Sequence, residues 1–286
     1  MTAHAIAILP YGSKLKPALA EMPLADLVWP LGCPKRLEGG RIADMAATDH
    51  LIVYAKKAMH LQSHRMVPAR LSLLVAEPKI MSARHHQLLR LSHRRFFRVF
   101  TYDPGLLGRL PNGVFLPFGT TWVPEWQALD LSKDRDISLI ASAKCDHPGH
   151  KLRHEIVNHI QASNLEIDIL GRGYAPFDKK SDGHARYRYS VVIENVREPN
   201  YFTEKLIDAI LCDCVPIYWG CPNIEEFFGT EGMILCNSAD DIKRALTTAG
   251  ADDYAARRPA LKAAREAAEH FGAFETRAAR LLLETL

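Results

Sequence analysis

RYRYSVVIENVREPNYFTEKLIDAILCDCVPIYWGCPNIEEFF, residues 186–228, is the stretch that decides the fold. An apolar run suited to a buried strand ends in Glu194-Asn195. A loop of five residues follows, then Tyr201-Phe202 and a helix opening at Thr203. Thr203 is a good N-cap, because its hydroxyl can meet the unpaired amides of the first turn. Glu204 and Lys205 then fall beside the positive end of the helix dipole, which suits a carboxylate and disfavours a cation unless an anion lies between them. Helix amides with a lysine at that end make a diphosphate site. Capping by Thr203 with a solvated Lys205, and a turn-stabilising Asn195, is the plainer alternative.

Outward from this stretch, short apolar runs alternate with helical patterns along the whole chain, which predicts parallel α/β sheets. Strands are expected over 5–9, 51–54, 71–76, 97–102 and 114–117, and again over 137–141, 166–170, 189–193, 215–218 and 233–235. Helices are expected over 81–91, 150–161, 203–212 and 239–249. The second series is complete enough to be a doubly wound sheet by itself. The polar segment 122–136 marks the boundary, giving domains of 1–125 and 126–265. Ala- and Arg-rich sequence from 252 onward ends in a helix over 266–286, expected to pack back across both domains or, alternatively, to lie on a membrane surface. Gly171 and Gly173, after a strand, form a G-x-G pair that suits a nucleotide turn or an ordinary loop equally well.

Composition excludes several classes. With 36 Lys and Arg against 33 Asp and Glu, the net charge is +3, too near neutral for a general nucleic-acid binder. The basic run 85–98 reads as a solvated helix followed by a strand, with no matching basic stripe elsewhere, so no nucleic-acid partner is expected. No stretch has the ~18 uncharged apolar residues of a membrane helix, and residues 1–10 lack the pattern of a signal peptide. The six cysteines are scattered without zinc spacing, which points to a reduced, cytoplasmic protein.

The segment resembles the donor-binding motif of the α-1,3-fucosyltransferases, glycosyltransferase family 10. The resemblance rests on Tyr187-Arg188-Tyr189, Ile193-Glu194-Asn195, Tyr201-Phe202-Thr203-Glu204-Lys205 and Val215-Pro216-Ile217-Tyr218-Trp219-Gly220. It implies a GT-B architecture, two Rossmann-like doubly wound α/β domains facing across a cleft. It also implies that Asn195, Tyr201, Glu204 and Lys205 line a GDP-sugar site, the lysine on phosphate and the glutamate on sugar hydroxyls. Arg153, in SAKCDHPGHKLRHEIV, matches an arginine of the first donor-domain helix, where a guanidinium would neutralise the diphosphate bidentately. Lys151, Lys144, Gly171 and Glu194 are further donor-site candidates.

An inverting transfer needs a base for the acceptor hydroxyl and positive charge for the leaving diphosphate. The family's base, a glutamate after a strand of the first domain, corresponds to Glu77, with Asp103 and Asp49 as the other carboxylates. The expected activity is inverting transfer of L-fucose from GDP-fucose to a glycan hydroxyl, with a glycan or lipopolysaccharide-type acceptor and at most peripheral membrane contact. No DxD motif is placed to hold a metal, so no metal or other cofactor is expected to be essential. A GT-B transferase using another nucleotide sugar, or a non-catalytic sugar-nucleotide or glycan-binding module, is the alternative. The chain is short beside family members and shows neither heptad repeats nor an anchor and stem, which leaves acceptor and membrane attachment open.

Overall fold

The computed structural model describes residues 4–13, 19–64 and 66–286. They form two units, one of residues up to 117 together with 274–286, the other of residues 118–273.

The first unit holds one all-parallel sheet of β1 (Ile6–Ile8), β2 (His50–Tyr54), β3 (Arg70–Val75), β4 (Val99–Thr101) and β5 (Gly113–Phe115). Helices α1 (Lys57–Leu61), α2 (Lys79–Ser92) and α3 (Pro104–Leu107) join the last four strands. Strand β2 is buried throughout and β3 from Ser72 to Val75, as the apolar runs of a covered parallel sheet require. The strand order is sequential, β1-β2-β3-β4-β5. Among the described residues this sheet shows no reversal of strand order.

The second unit contains β6 (Arg135–Ile140), α4 (Pro148–Ala162), β7 (Ile167–Leu170), β8 (Tyr187–Ile193), α5 (Glu204–Leu211), β9 (Val215–Trp219), β10 (Ile234–Leu235), α6 (Ala239–Thr248) and α7 (Ala251–Gly272). Its parallel sheet runs β10-β9-β8-β6-β7. The chain thus builds outward one way from β6 to β7 and then the other way from β8, and the order reverses between β6 and β8. That reversal opens a crevice at the carboxyl ends of the two strands, where α/β sheets place their ligands. Tyr189 and Tyr218 are fully buried in this unit's core.

The units part at Pro117/Phe118, earlier than the expected 125/126. The reason is local: Thr121 Oγ1 (2.7 Å) and the Trp122 amide (3.0 Å) both donate to Asp208 of α5, tying this stretch to the second unit. The expected single helix over 266–286 is two helices. α7 continues to Gly272 in the second unit, and α8 (Phe274–Glu284) lies in the first, where it contacts β1. No helix among the described residues is long and apolar enough to cross a membrane.

Candidate functional site

The crevice between β6 and β8 is a cavity of about 450 Å³. Its floor is small, with Ala141 and Ser142 after β6 and Ser190 on β8. Charged and polar side chains surround it: Lys144, His150, Arg153, Arg172, Lys180, His184, Asn195, Glu204 and Lys205.

Two close approaches shape it. A Cβ on Gly149 would lie 1.7 Å from the Glu194 carbonyl oxygen, so only glycine lets the first turn of α4 sit against the end of β8. The Gly149 amide then donates to the Asn195 carbonyl at 2.9 Å, and Arg153, one turn on, reaches the Ile193 carbonyl at 2.6 Å. Gly171 has φ +112° and lies where a Cβ would meet the Ala141 carbonyl at 2.1 Å. Its role is backbone packing between β6 and β7, and the neighbouring Arg172 faces the cavity instead.

At the start of α5, Thr203 caps the helix as expected, its hydroxyl accepting from the Lys205 amide. The anion that the misplaced lysine calls for is part of the protein. Lys205 Nζ lies 3.3 Å from both Glu194 Oε2 and Glu204 Oε1 and donates to Thr203 Oγ1 at 2.9 Å. Glu194 is fully buried, does not line the cavity, and accepts from the Thr203 amide and hydroxyl at 2.8 Å each. It positions the helix start. The plainer alternative of a solvated Lys205 does not hold: its side chain is 23% exposed, and burial is outweighed by Glu194 and Glu204, which raise its pKa. Removing one member of a buried ion pair strands the other. Lys205→Ala is therefore expected to lower stability by about 2 kcal/mol in thermal or urea melts, besides weakening any phosphate contact.

The cavity is strongly positive. Lys144, Arg153, Arg172 and Lys180 all line it, and none has an ion pair among the described residues. Arg153 is 7% exposed, and burial lowers its pKa against the pull of Glu194 and Glu204. Burial likewise lowers the pKa of Lys180, whose ammonium sits 5.7 Å from the Trp122 ring centroid. His184 is 2% exposed, with both ring nitrogens unpartnered. Burial, with Lys180 and Lys133 nearby, holds it well below the usual histidine range and therefore neutral. His150 Nε2 pairs with Asn195 Oδ1 at 3.2 Å and leaves Nδ1 unpartnered. Buried cations and unpartnered polar atoms are costly unless a ligand meets them.

Of the expected donor residues, Arg153, Asn195, Glu204, Lys205 and Lys144 come together here. Tyr201 does not: it is 3% exposed and not part of the lining. Lys151 is exposed on α4 and also lies outside the lining. Sequence reasoning missed Lys180, His184, His150 and Arg172. Lys180 opens a single 3-10 turn, Lys180–Gly183, before β8, and His184 follows it; one turn is too short for periodicity to mark a face. The only signal was the polar cluster KKSDGH ahead of an apolar strand.

Asp208, a turn below Glu204 on α5, is pushed up to about 7 by burial, despite the Thr121 and Trp122 donors; its Oδ2 has no partner. A folded pKa above the ordinary carboxylate value means the folded state binds the extra proton. The associated stability is full below pH ~4 and is lost as pH rises through about 7. Asp208→Asn is expected to remove this loss, gaining ~2 kcal/mol on wild type between pH 5 and pH 8 in urea melts at the two pH values.

In the first unit, Glu77 follows β3 at the sheet's carboxyl edge and accepts a 2.5 Å hydrogen bond from the Tyr11 hydroxyl. It lines a second cavity, of about 360 Å³. The other two carboxylates are committed elsewhere. Asp49 is fully buried, ion-paired to Arg36 at 2.5 Å, and accepts from the amides of Ala5 and Ala46. Asp103 caps α3 through the Leu106 amide at 2.6 Å.

With their two parallel-sheet units, the described residues have the GT-B fold of nucleotide-sugar glycosyltransferases. The solved structure of Anabaena HepE in complex with UDP-glucose shares it, with TM-score 0.55 and 12% identity over 86% of this chain and 81% of that one. Residues 131–248 match the family described as glycosyltransferase family 10 (fucosyltransferase), C-terminal, so the resemblance read from 186–228 extends across most of the second unit. A fucosyltransferase-like protein of Arabidopsis thaliana is 27% identical over 56% of this chain and 30% of its own length. The α-(1,3)-fucosyltransferase FucT of Helicobacter pylori is 33% identical over 36% of this chain and 28% of its own. The chain thus covers about a third or less of each of these relatives.

Proposed function

We propose that this chain transfers L-fucose from GDP-fucose to a glycan hydroxyl with inversion at the anomeric carbon. The observation that carries the reading is the cavity at the strand-order reversal, with four cations lacking ion pairs, on the segment that matches the fucosyltransferase family. A nucleoside diphosphate is the ligand such a site suits. Its phosphates would meet Arg153, Lys205 and Lys180, and its sugar hydroxyls Glu204. A neutral, unpartnered His184 offers a donor and an acceptor to further polar groups of the same ligand.

In the proposed reaction the acceptor oxygen attacks the anomeric carbon as the bond from that carbon to the diphosphate oxygen breaks. Arg153, Lys205 and Lys180 stabilise the charge that develops on the diphosphate. Glu77 takes the proton of the acceptor hydroxyl. The protein's own cations supply the charge, and no divalent metal is required in this scheme.

The test is to incubate the chain with GDP-β-L-fucose and a disaccharide in the presence of EDTA and read the product's anomeric signal by NMR. An α-fucoside formed at most of the metal-supplemented rate is expected. A β-fucoside would contradict inversion, and loss of turnover restored by manganese would contradict the metal-free scheme. GDP binding with no turnover on any saccharide would leave a binding module.

A further inference from the structure

The first unit's cavity is lined by Tyr11, Tyr54, Lys56, Glu77, Ser82 and His85, among others. The Tyr11 and Tyr54 rings meet edge to face, centroids 5.1 Å apart, and Lys56 is held by the Ser13 carbonyl. His85 enters this wall from α2, and behind it runs a polar chain that the scheme above does not use.

His85 Nδ1 lies 2.9 Å from His60 Nε2, and His60 Nδ1 lies 2.8 Å from Ser92 Oγ. Ser92 Oγ is 2.9 Å from the Leu88 carbonyl. A carbonyl only accepts, so the serine proton satisfies that contact and Oγ must accept from His60 Nδ1–H. His60 Nε2 is then a lone pair and accepts from His85 Nδ1–H. Three protons make three hydrogen bonds. In the reverse arrangement the serine donates to His60 and His60 to His85, which makes two bonds and sets Ser92 Oγ against Leu88 O with no proton between them. The first arrangement wins by a buried hydrogen bond. It leaves His85 Nε2 an acceptor without a partner among the described residues.

We propose that the Ser92–His60–His85 chain fixes the tautomer of His85 and presents its Nε2 lone pair to a hydroxyl of a saccharide bound in the cavity it shares with Glu77. His85 is then a second sugar-binding group, and His60 and Ser92 are positioning residues. Two hydrogen-bond acceptors beside aromatic edges suit a neutral sugar ring. The lone pair also survives mild acid. Burial, with His86 and Arg84 on α2, lowers the His85 pKa, and burial, with His85 and Arg95, lowers that of His60 to about 4. Glu77, Lys56 and the two tyrosines are the other titratable groups facing His85 across the cavity. The sugar identified with this pocket as the acceptor rests on the transferase reading; the tautomer does not.

The experiment is long-range ¹H–¹⁵N NMR of the histidine rings in the full chain, with His85→Phe for assignment, titrated with N-acetyllactosamine. The expected result is His85 protonated on Nδ1, with its Nε2 signal moved by the disaccharide. Ser92→Ala removes the oxygen that accepts from His60 and avoids enlarging a buried ring site. It is expected to mix the tautomers and weaken disaccharide binding about fivefold, with GDP affinity unchanged. His85 protonated on Nε2, or disaccharide affinity equal in wild type, Ser92→Ala and His85→Phe, overturns the proposal. A disaccharide-shifted His85 in a chain without turnover would sink the transferase reading and leave this one standing.

Discussion

Glu77→Gln is expected to reduce fucosyl transfer by about a hundredfold to ten-thousandfold, the range a general base contributes. The change alters almost nothing else. A glutamine oxygen can still accept from the Tyr11 hydroxyl, now 2.5 Å from Glu77 Oε1, so the pocket wall and the melting temperature should hold. What is lost is the ability to take a proton. GDP affinity should stay within about a factor of two, because the cations proposed to hold the nucleotide belong to the second unit and its separate core. Steady-state rates and GDP titration on the same preparation check both halves. Retained turnover in the glutamine variant would move the proton to His85, which lines the same cavity; Asp49 and Asp103 are held by Arg36 and by the α3 cap.

Arg153→Lys is the second large effect, with kcat/KM expected to fall about ten- to a hundredfold, the worth of one or more hydrogen bonds to a charged group. Arg153 uses one nitrogen on the Ile193 carbonyl and still lines the cavity. A planar guanidinium has further donors left for a diphosphate, whereas an ammonium on a shorter stem is a point charge that must leave either the carbonyl or the ligand. The charge is kept, so a wild-type rate in the lysine variant would mean that only charge matters at this position. A rate loss accompanied by unchanged GDP affinity would shift the role of Arg153 from holding the diphosphate to stabilising it as it leaves.

All ten strands of the described residues were legible in the sequence, because each is a short apolar run bounded by polar or turn residues. The helix start at Thr203 was legible for the same local reason, a capping side chain before an amphipathic run. Strand order was not. Nothing along the chain distinguishes the sequential sheet of the first unit from the reversed one of the second, since order is set by which crossover covers which face. The site was half legible. Residues on regular elements, Arg153 on α4 and Glu204 and Lys205 on α5, were found from spacing and resemblance. Lys180 and His184 lie on and just after a single 3-10 turn, whose placement depends on contacts such as Ser138 Oγ donating to the Gly183 carbonyl at 2.7 Å. Glu194, a further donor-site candidate of the Ile193-Glu194-Asn195 match, adjoins Asn195. Yet alternation along a strand end turns neighbours to opposite sides, and its carboxylate serves Thr203 and Lys205 instead.

The central claim is that the second unit's cavity holds a nucleoside diphosphate through the cations that line it. Calorimetric titration of the full chain with GDP, and separately with guanosine, tests it most directly. One GDP site is predicted, with guanosine bound at least about a hundredfold more weakly and with GDP binding markedly reduced in Arg153→Ala. Equal affinity for GDP and guanosine, or GDP binding untouched by the loss of Arg153, would contradict the account.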